Sequence, residues 1–234
     1  MSQPSHHVYP VGASNIQFNQ GIFTAAEVAL FAKLHPTTVK RWFFSNHMGK
    51  AVMPPSGMDD KTLSFWDLVQ AMAVRAIRRE RNVPLPKIRE AVQRAEADYG
   101  LTHIFARPHQ TVLFMGDIFI YPKDQEAPVQ LTGKRPHQLA IRHLVEPYQR
   151  DLAFDAAGLA TLFTAFRFAD QSVIIDPAIR FGEPFVKSCG YSARTLYEAV
   201  LSEGGVTQAA KAFAVDESAV DAAFRYYDSL PVAA

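Results

Sequence analysis

The sequence predicts a mainly helical α+β fold: a helix-turn-helix at the head, a small central antiparallel sheet, and a C-terminal three-helix domain that itself looks helix-turn-helix-like. Three observations carry this. Apolar residues recur at helical spacing over 24–44, 63–81 and 83–99, and again over 192–230. Capping residues, prolines and glycines punctuate those stretches where helices should begin and end. Between them the period shortens to β-prone runs such as TVLFMGDIFIYPKD over 111–124.

The chain is organised around TAAEVALFAKLHPTTVKRWFF, residues 24 to 44. Thr24 is placed as an N-cap, and Glu27 stands at the capping-box position three residues on. Ala25, Val28, Ala29 and Ala32 make one small apolar face. Leu34 and His35 form a short connection, and Pro36 suits the first turn of a second helix, where its missing N–H costs nothing. On that helix Val39, Trp42 and Phe43 turn inward, which leaves Thr37, Thr38, Lys40 and Arg41 outward. Two hydroxyls and two cations near a helix N-terminus suit phosphate and base-edge contacts in a major groove. The plainer reading of the same four residues is a solvated basic face.

Residues 45 to 62 (SNHMGKAVMPPSGMDDKT) have loop or wing composition and offer Lys50 as a further DNA contact. A helix resumes over 63–81, with Ser64 as N-cap and Asp67 at its third position. On it Arg75, Arg78 and Arg79 share a face, either as a solvated stripe or, beginning with Arg75, against a flanking phosphate backbone. NVPLPKIREAVQRAEADYG supplies a break and another helix, ending at Gly100.

This order resembles the winged-helix domain of the MerR family. Thr38, Lys40, Arg41 and Trp42 match its Thr-x-Arg-aromatic recognition helix, and Val83, Leu85, Ile88 and Arg89 match the helix that comes after the wing. The resemblance covers about the first hundred residues and implies DNA binding, with Thr24, Thr37, Thr38, Lys40, Arg41, Lys50 and Arg75 as the contacting residues.

The totals set bounds. The formal charge of +1 hides an asymmetry. Residues 21–100 carry 12 Lys+Arg against 8 Asp+Glu, residues 101–170 carry 7 of each, and residues 171–234 carry 5 against 8. The basic surplus falls on the segment expected to meet DNA, and the acidic end should not bind phosphate strongly. There is no run of eighteen apolar residues and no signal-peptide pattern, so no membrane partner and a cytoplasmic location are expected. The single cysteine, Cys189, excludes an intrachain disulfide and a cysteine-rich zinc site. His6 and His7 lack further ligands, so no metal is expected.

The chain divides into four segments: a flexible lead-in over 1–20, the winged-helix domain over 21–103, a small α+β linker region over 104–170, and a helical domain over 171–234. In the linker region two strands flank Gly116-Asp117, a further short strand precedes Gly133, and a helix runs from Pro136 to Arg150 with His143 at a core edge. Two more strands are expected in LATLFTAFRFADQSVIID, all in one small antiparallel sheet. In the last segment VIIDPAIRFGEPFV is an extended lead-in. Ser192 caps a helix that Gly204-Gly205 ends, Thr207 opens the next, and Asp216 opens the last.

Ile174, Asp176, Pro177, Gly182, Pro184, Gly204, Ala210, Val220, Ala223 and Tyr226 make this segment resemble domain-of-unknown-function family 433. Its apolar surface, Phe213, Phe224, Tyr226 and Tyr227, is assigned to protein contact. A MerR-like head joined to such a tail resembles VapB-type antitoxins. That resemblance implies a protein that binds a PIN-domain ribonuclease toxin and represses its own operon by binding operator DNA. A homodimer is expected, because a single recognition helix rarely gives enough contact area. The alternative is a free-standing MerR-like regulator that senses a small molecule. An enzyme is not expected: no Walker loop, Gly-x-Ser-x-Gly, His-Glu-x-x-His or paired metal carboxylates occur, and no cofactor is implied. Asp117, Asp124 and Glu126 are grouped, but in turn-like sequence.

Overall fold

The computed structural model describes residues 18–44, 51–53, 55, 61–107, 111–114, 116–121, 128–133, 150–156 and 158–231. Lys50, His6, His7, His143, Asp124, Glu126 and, apart from Arg150, the helix expected over 136–150 lie outside the described residues.

The fold is mixed α+β. The head holds α1 (Ala25–Phe31), α2 (Pro36–Phe43), α3 (Phe65–Arg81) and α4 (Leu85–Tyr99). Local chemistry sets their ends. Thr24 and Glu27 form a reciprocal capping box on α1, and Ser64 and Asp67 form one on α3. Pro36 occupies the first turn of α2, and Gly100 closes α4 in the left-handed conformation at φ 61°. A single 3-10 turn, Ile104–Ala106, then leads into the strands.

The strands form two separate antiparallel sheets, where the sequence suggested one. The first is β1 (Thr111–Phe114), β2 (Asp117–Ile120) and β3 (Val129–Gln130) in that order, with Phe114 opposite Asp117 at the hairpin. The second is β4 (Leu152–Phe154), β5 (Ala160–Phe168), β6 (Gln171–Ile175) and β7 (Phe185–Val186), again in order. β4 and β7, of three and two residues, owe their existence to β5 and β6, on which they pair. Three helices close the chain: α5 (Ala193–Glu203), α6 (Val206–Phe213) and α7 (Glu217–Asp228).

Two cores organise these elements. One joins the head helices, the 3-10 turn, the first sheet and the entry of the second sheet, from Phe18 through Ile175. The other lies between the second sheet and α5–α7 and includes Val173, Val186, Leu196, Val220 and Tyr226. Leu30 of α1 packs against this second core, so the tail rests on the head's first helix. At the edge of the first core, Lys87 of α4 pairs with Asp117 at 2.7 Å, and Asp117 accepts from the Thr132 hydroxyl at 3.1 Å. Asp117 therefore ties the first sheet to the head. Among the described residues, no helix is long and apolar enough to cross a membrane.

Candidate nucleic-acid interface

The site is built on α1 and α2. After α1 the backbone reverses through Lys33, which takes the left-handed conformation at φ 53°, and the Leu34 N–H returns to the Ala29 carbonyl at 2.7 Å. His35 then caps α2: its Nδ1 accepts from the Thr37 N–H at 3.3 Å and lies 2.8 Å from the Thr37 hydroxyl. Histidine is an unusual N-cap, but its ring nitrogen supplies the acceptor that the first turn needs.

Val39, Trp42 and Phe43 are buried, and this anchors the helix by its inner face. Thr37, Lys40 and Arg41 are exposed and Thr38 is half-buried beside them. The first turn of α2 holds no acidic residue, and among the described residues neither Lys40 nor Arg41 forms an ion pair. The helix thus presents the two hydroxyls near its N-terminus, at the positive end of its dipole, and the two cations in its last turn.

The chain beyond α2 is held to that helix. The Trp42 carbonyl accepts from both Val52 N–H at 2.7 Å and Met53 N–H at 3.0 Å, and the Ala51 carbonyl accepts from Arg89 Nε at 3.1 Å. Residues 51–53 of the stretch expected to form a wing therefore lie beside the C-terminal end of α2, and most of the rest of that stretch lies outside the described residues. Phe23 and Leu63 form a further antiparallel bridge across the base of the head.

Two expected DNA contacts are engaged inside the protein. The Thr24 hydroxyl accepts from the Glu27 N–H at 3.2 Å and donates to the Glu27 carboxylate at 2.8 Å. That carboxylate would also repel a phosphate placed there. Arg75 donates through Nη1 to the Ala32 carbonyl at 2.8 Å, so it holds the C-terminal end of α1. Arg78 and Arg79 of the same stripe are exposed.

The aromatic residues assigned to protein contact are largely used within the tail. Tyr226 is a correction: it is 2% exposed, on the inner face of α7 against Phe166, and offers no surface. Tyr227 is half-buried, packed on Tyr197 at 5.4 Å. Burial first, and then the charges of Glu183, Glu198 and Glu27, push its phenol up to about 12. Phe224 stacks on Tyr197 at 5.5 Å, and Phe213 meets Tyr191 edge to face at 5.3 Å.

Sequence reasoning missed two features. His103 sits in the left-handed conformation at φ 52°, its ring 4.8 Å from Trp66 and its Nδ1 3.4 Å from Gln70 Nε2. Burial, and then the neighbouring Arg107 cation, lower its pKa to about 4, so it is neutral near pH 7. Phe181 is 83% exposed on a tight turn, and nothing in the local composition distinguishes it from a core phenylalanine. Among the described residues no group of three His, Cys, Asp or Glu side chains is arranged to hold a metal.

The fold has a solved counterpart. A crystal structure of Rv2018 from Mycobacterium tuberculosis superposes with a TM-score of 0.59 at 17% identity, covering 91% of this chain and 99% of that one. At that identity the likeness is one of fold. No protein-family model matches the chain, and no curated protein matches it.

Proposed function

We infer that this chain is a DNA-binding antitoxin of a bacterial toxin–antitoxin pair. It uses a MerR-like winged-helix head to repress its own operon and binds a PIN-domain ribonuclease toxin. The observation that carries the DNA part is the outer face of α2, where Thr37, Thr38, Lys40 and Arg41 stand together on a helix anchored by buried Val39, Trp42 and Phe43. The return of the chain at Ala51–Met53 to the end of α2 supports a wing. The toxin part rests on the resemblance of residues 174–226 to family 433.

The test is binding of the full chain to DNA from upstream of its own gene, measured by fluorescence anisotropy over a salt series. Lys40→Ala with Arg41→Ala should weaken binding by about 1–3 kcal/mol for each base contact removed, or flatten the salt slope by about 1 for each phosphate contact removed. A folded double variant that binds like the parent removes α2 from the interface. Purification from native cells with nuclease treatment tests the partner. A small ribonuclease at near-stoichiometric yield supports the antitoxin, whereas the chain alone favours the ligand-sensing regulator.

A further inference from the structure

The tail carries a rigid protrusion that DNA binding does not use. Ile179, Arg180 and Phe181 come after Asp176-Pro177 and form a turn in which Arg180 and Phe181 both take left-handed backbone conformations, at φ 51° and 53°. Neither is glycine, so each holds a backbone conformation that L-residues disfavour. Four hydrogen bonds hold the turn: Ala178 N–H to Asp176 Oδ1 at 2.8 Å, Ile179 N–H to the Asp176 carbonyl at 3.0 Å, Gly182 N–H to the Ile179 carbonyl at 3.0 Å and Glu183 N–H to the Arg180 carbonyl at 3.0 Å. The result is a phenyl ring fixed outward, 83% exposed, beside a cation that forms no ion pair among the described residues. An aromatic and an arginine on a pre-organised turn are what interface anchors are made of.

A complementary recess lies a short way along the chain. Ser188, Cys189, Ala214, Val215, Asp216 and Ala219 line a hollow of about 350 Å³. Among its lining residues Asp216 is the one carboxylate, exposed and in no ion pair among the described residues. Asp216 is the N-cap residue of α7 but makes no capping bond, so its carboxylate is available. Seven residues separate Phe181 from Ser188, at most roughly 23 Å of extended chain.

A protrusion that carries Arg180 and a recess lined by Asp216 on one chain give each copy both halves of a contact that a two-fold axis would close. We propose that a second copy of this chain is the occupant: Phe181 of each copy enters the Ser188–Ala219 recess of the other, and Arg180 of each pairs with Asp216 of the other. This rests on the dimer expected for a DNA-binding head, and it is independent of the toxin.

Sedimentation equilibrium of the full chain tests it. The parent is expected to dimerise at micromolar concentration. Phe181→Asp should weaken the dimer about 30-fold or more, as removal of an anchor does. Aspartate tolerates the left-handed backbone, so the fold should survive, with circular dichroism as the check. Arg180→Glu and Asp216→Arg should each weaken the dimer, and the two together should restore it. A monomeric parent overturns both the dimer and this interface. A dimer indifferent to Phe181→Asp overturns the interface alone, as does a Phe181→Asp effect confined to binding of some other protein.

Discussion

The indole nitrogen of Trp66 on α3 donates to the backbone carbonyl of Ala160 on β5 at 3.0 Å. The bond spans 94 positions and ties the head to the second sheet. Both residues are buried, and the Trp66 ring also stacks on Phe18 with centroids 6.1 Å apart. Trp66→Phe keeps an aromatic ring there and removes the donor. Loss of a buried hydrogen bond that strands its acceptor costs about 1–3 kcal/mol. The urea midpoint should fall with little change in slope, and an unmoved midpoint would show that the bond adds nothing to stability.

His103 makes the same region acid-sensitive. Its pKa is about 4 in the folded protein against 6.5 for the free side chain, burial being the larger cause and Arg107 the smaller. A depressed folded pKa means that the unfolded chain binds the proton first. The contribution is therefore complete above pH 6.5 and is lost as pH falls toward 4, with a span of about 3 kcal/mol. Asparagine accepts the left-handed backbone of this position. His103→Asn should flatten the dependence of the urea midpoint on pH between 6.5 and 4. An equally steep parent and variant would assign the acid sensitivity to other groups.

Tyr226 offers the opposite case. Its hydroxyl is buried on α7 with no hydrogen-bond partner among the described residues, and burial raises its pKa far above the ordinary tyrosine value. Desolvating an unpartnered hydroxyl is unfavourable, so Tyr226→Phe should leave stability unchanged or raise it by up to about 1 kcal/mol. A drop in thermal midpoint of several degrees would reveal a partner for the hydroxyl.

Tyr226 also marks where legibility ended. Ala219, Val220, Ala223 and Tyr226 recur at helical spacing and form the inner face of α7, so the burial of Tyr226 was written in the same periodicity that located the helix. Grouping it with Tyr227 and Phe224 as surface ignored that adjacent residues on a helix face different ways. The capping boxes of Thr24–Glu27 and Ser64–Asp67 were readable because their whole mechanism lies within four residues. So was the outward set of α2, because it is the complement of the buried Val39, Trp42 and Phe43. β4 and β7 were not readable, because two or three residues carry no period and their partners are supplied by β5 and β6. Nor was the commitment of Arg75 to the Ala32 carbonyl, a contact 43 positions away in sequence.

Gly182 holds the tail against the head. It has φ +78°, and a Cβ on it would lie 2.5 Å from Phe23 Cζ, 2.9 Å from Phe23 Cε1 and 3.1 Å from Ile22 Cδ1. Phe23 is itself buried and bridges to Leu63 at the base of the head, so it cannot swing away. Gly182→Ala thus meets two penalties, a disfavoured backbone and an overpacked contact, which together amount to about 2–4 kcal/mol. The strain can be relieved by lifting the Asp176–Glu183 turn off Phe23, which would loosen the tail from α1. The expected result is a lower urea midpoint together with faster proteolysis between residues 176 and 192. A variant as stable and as protease-resistant as the parent would mean that the turn is not packed on Phe23 in solution.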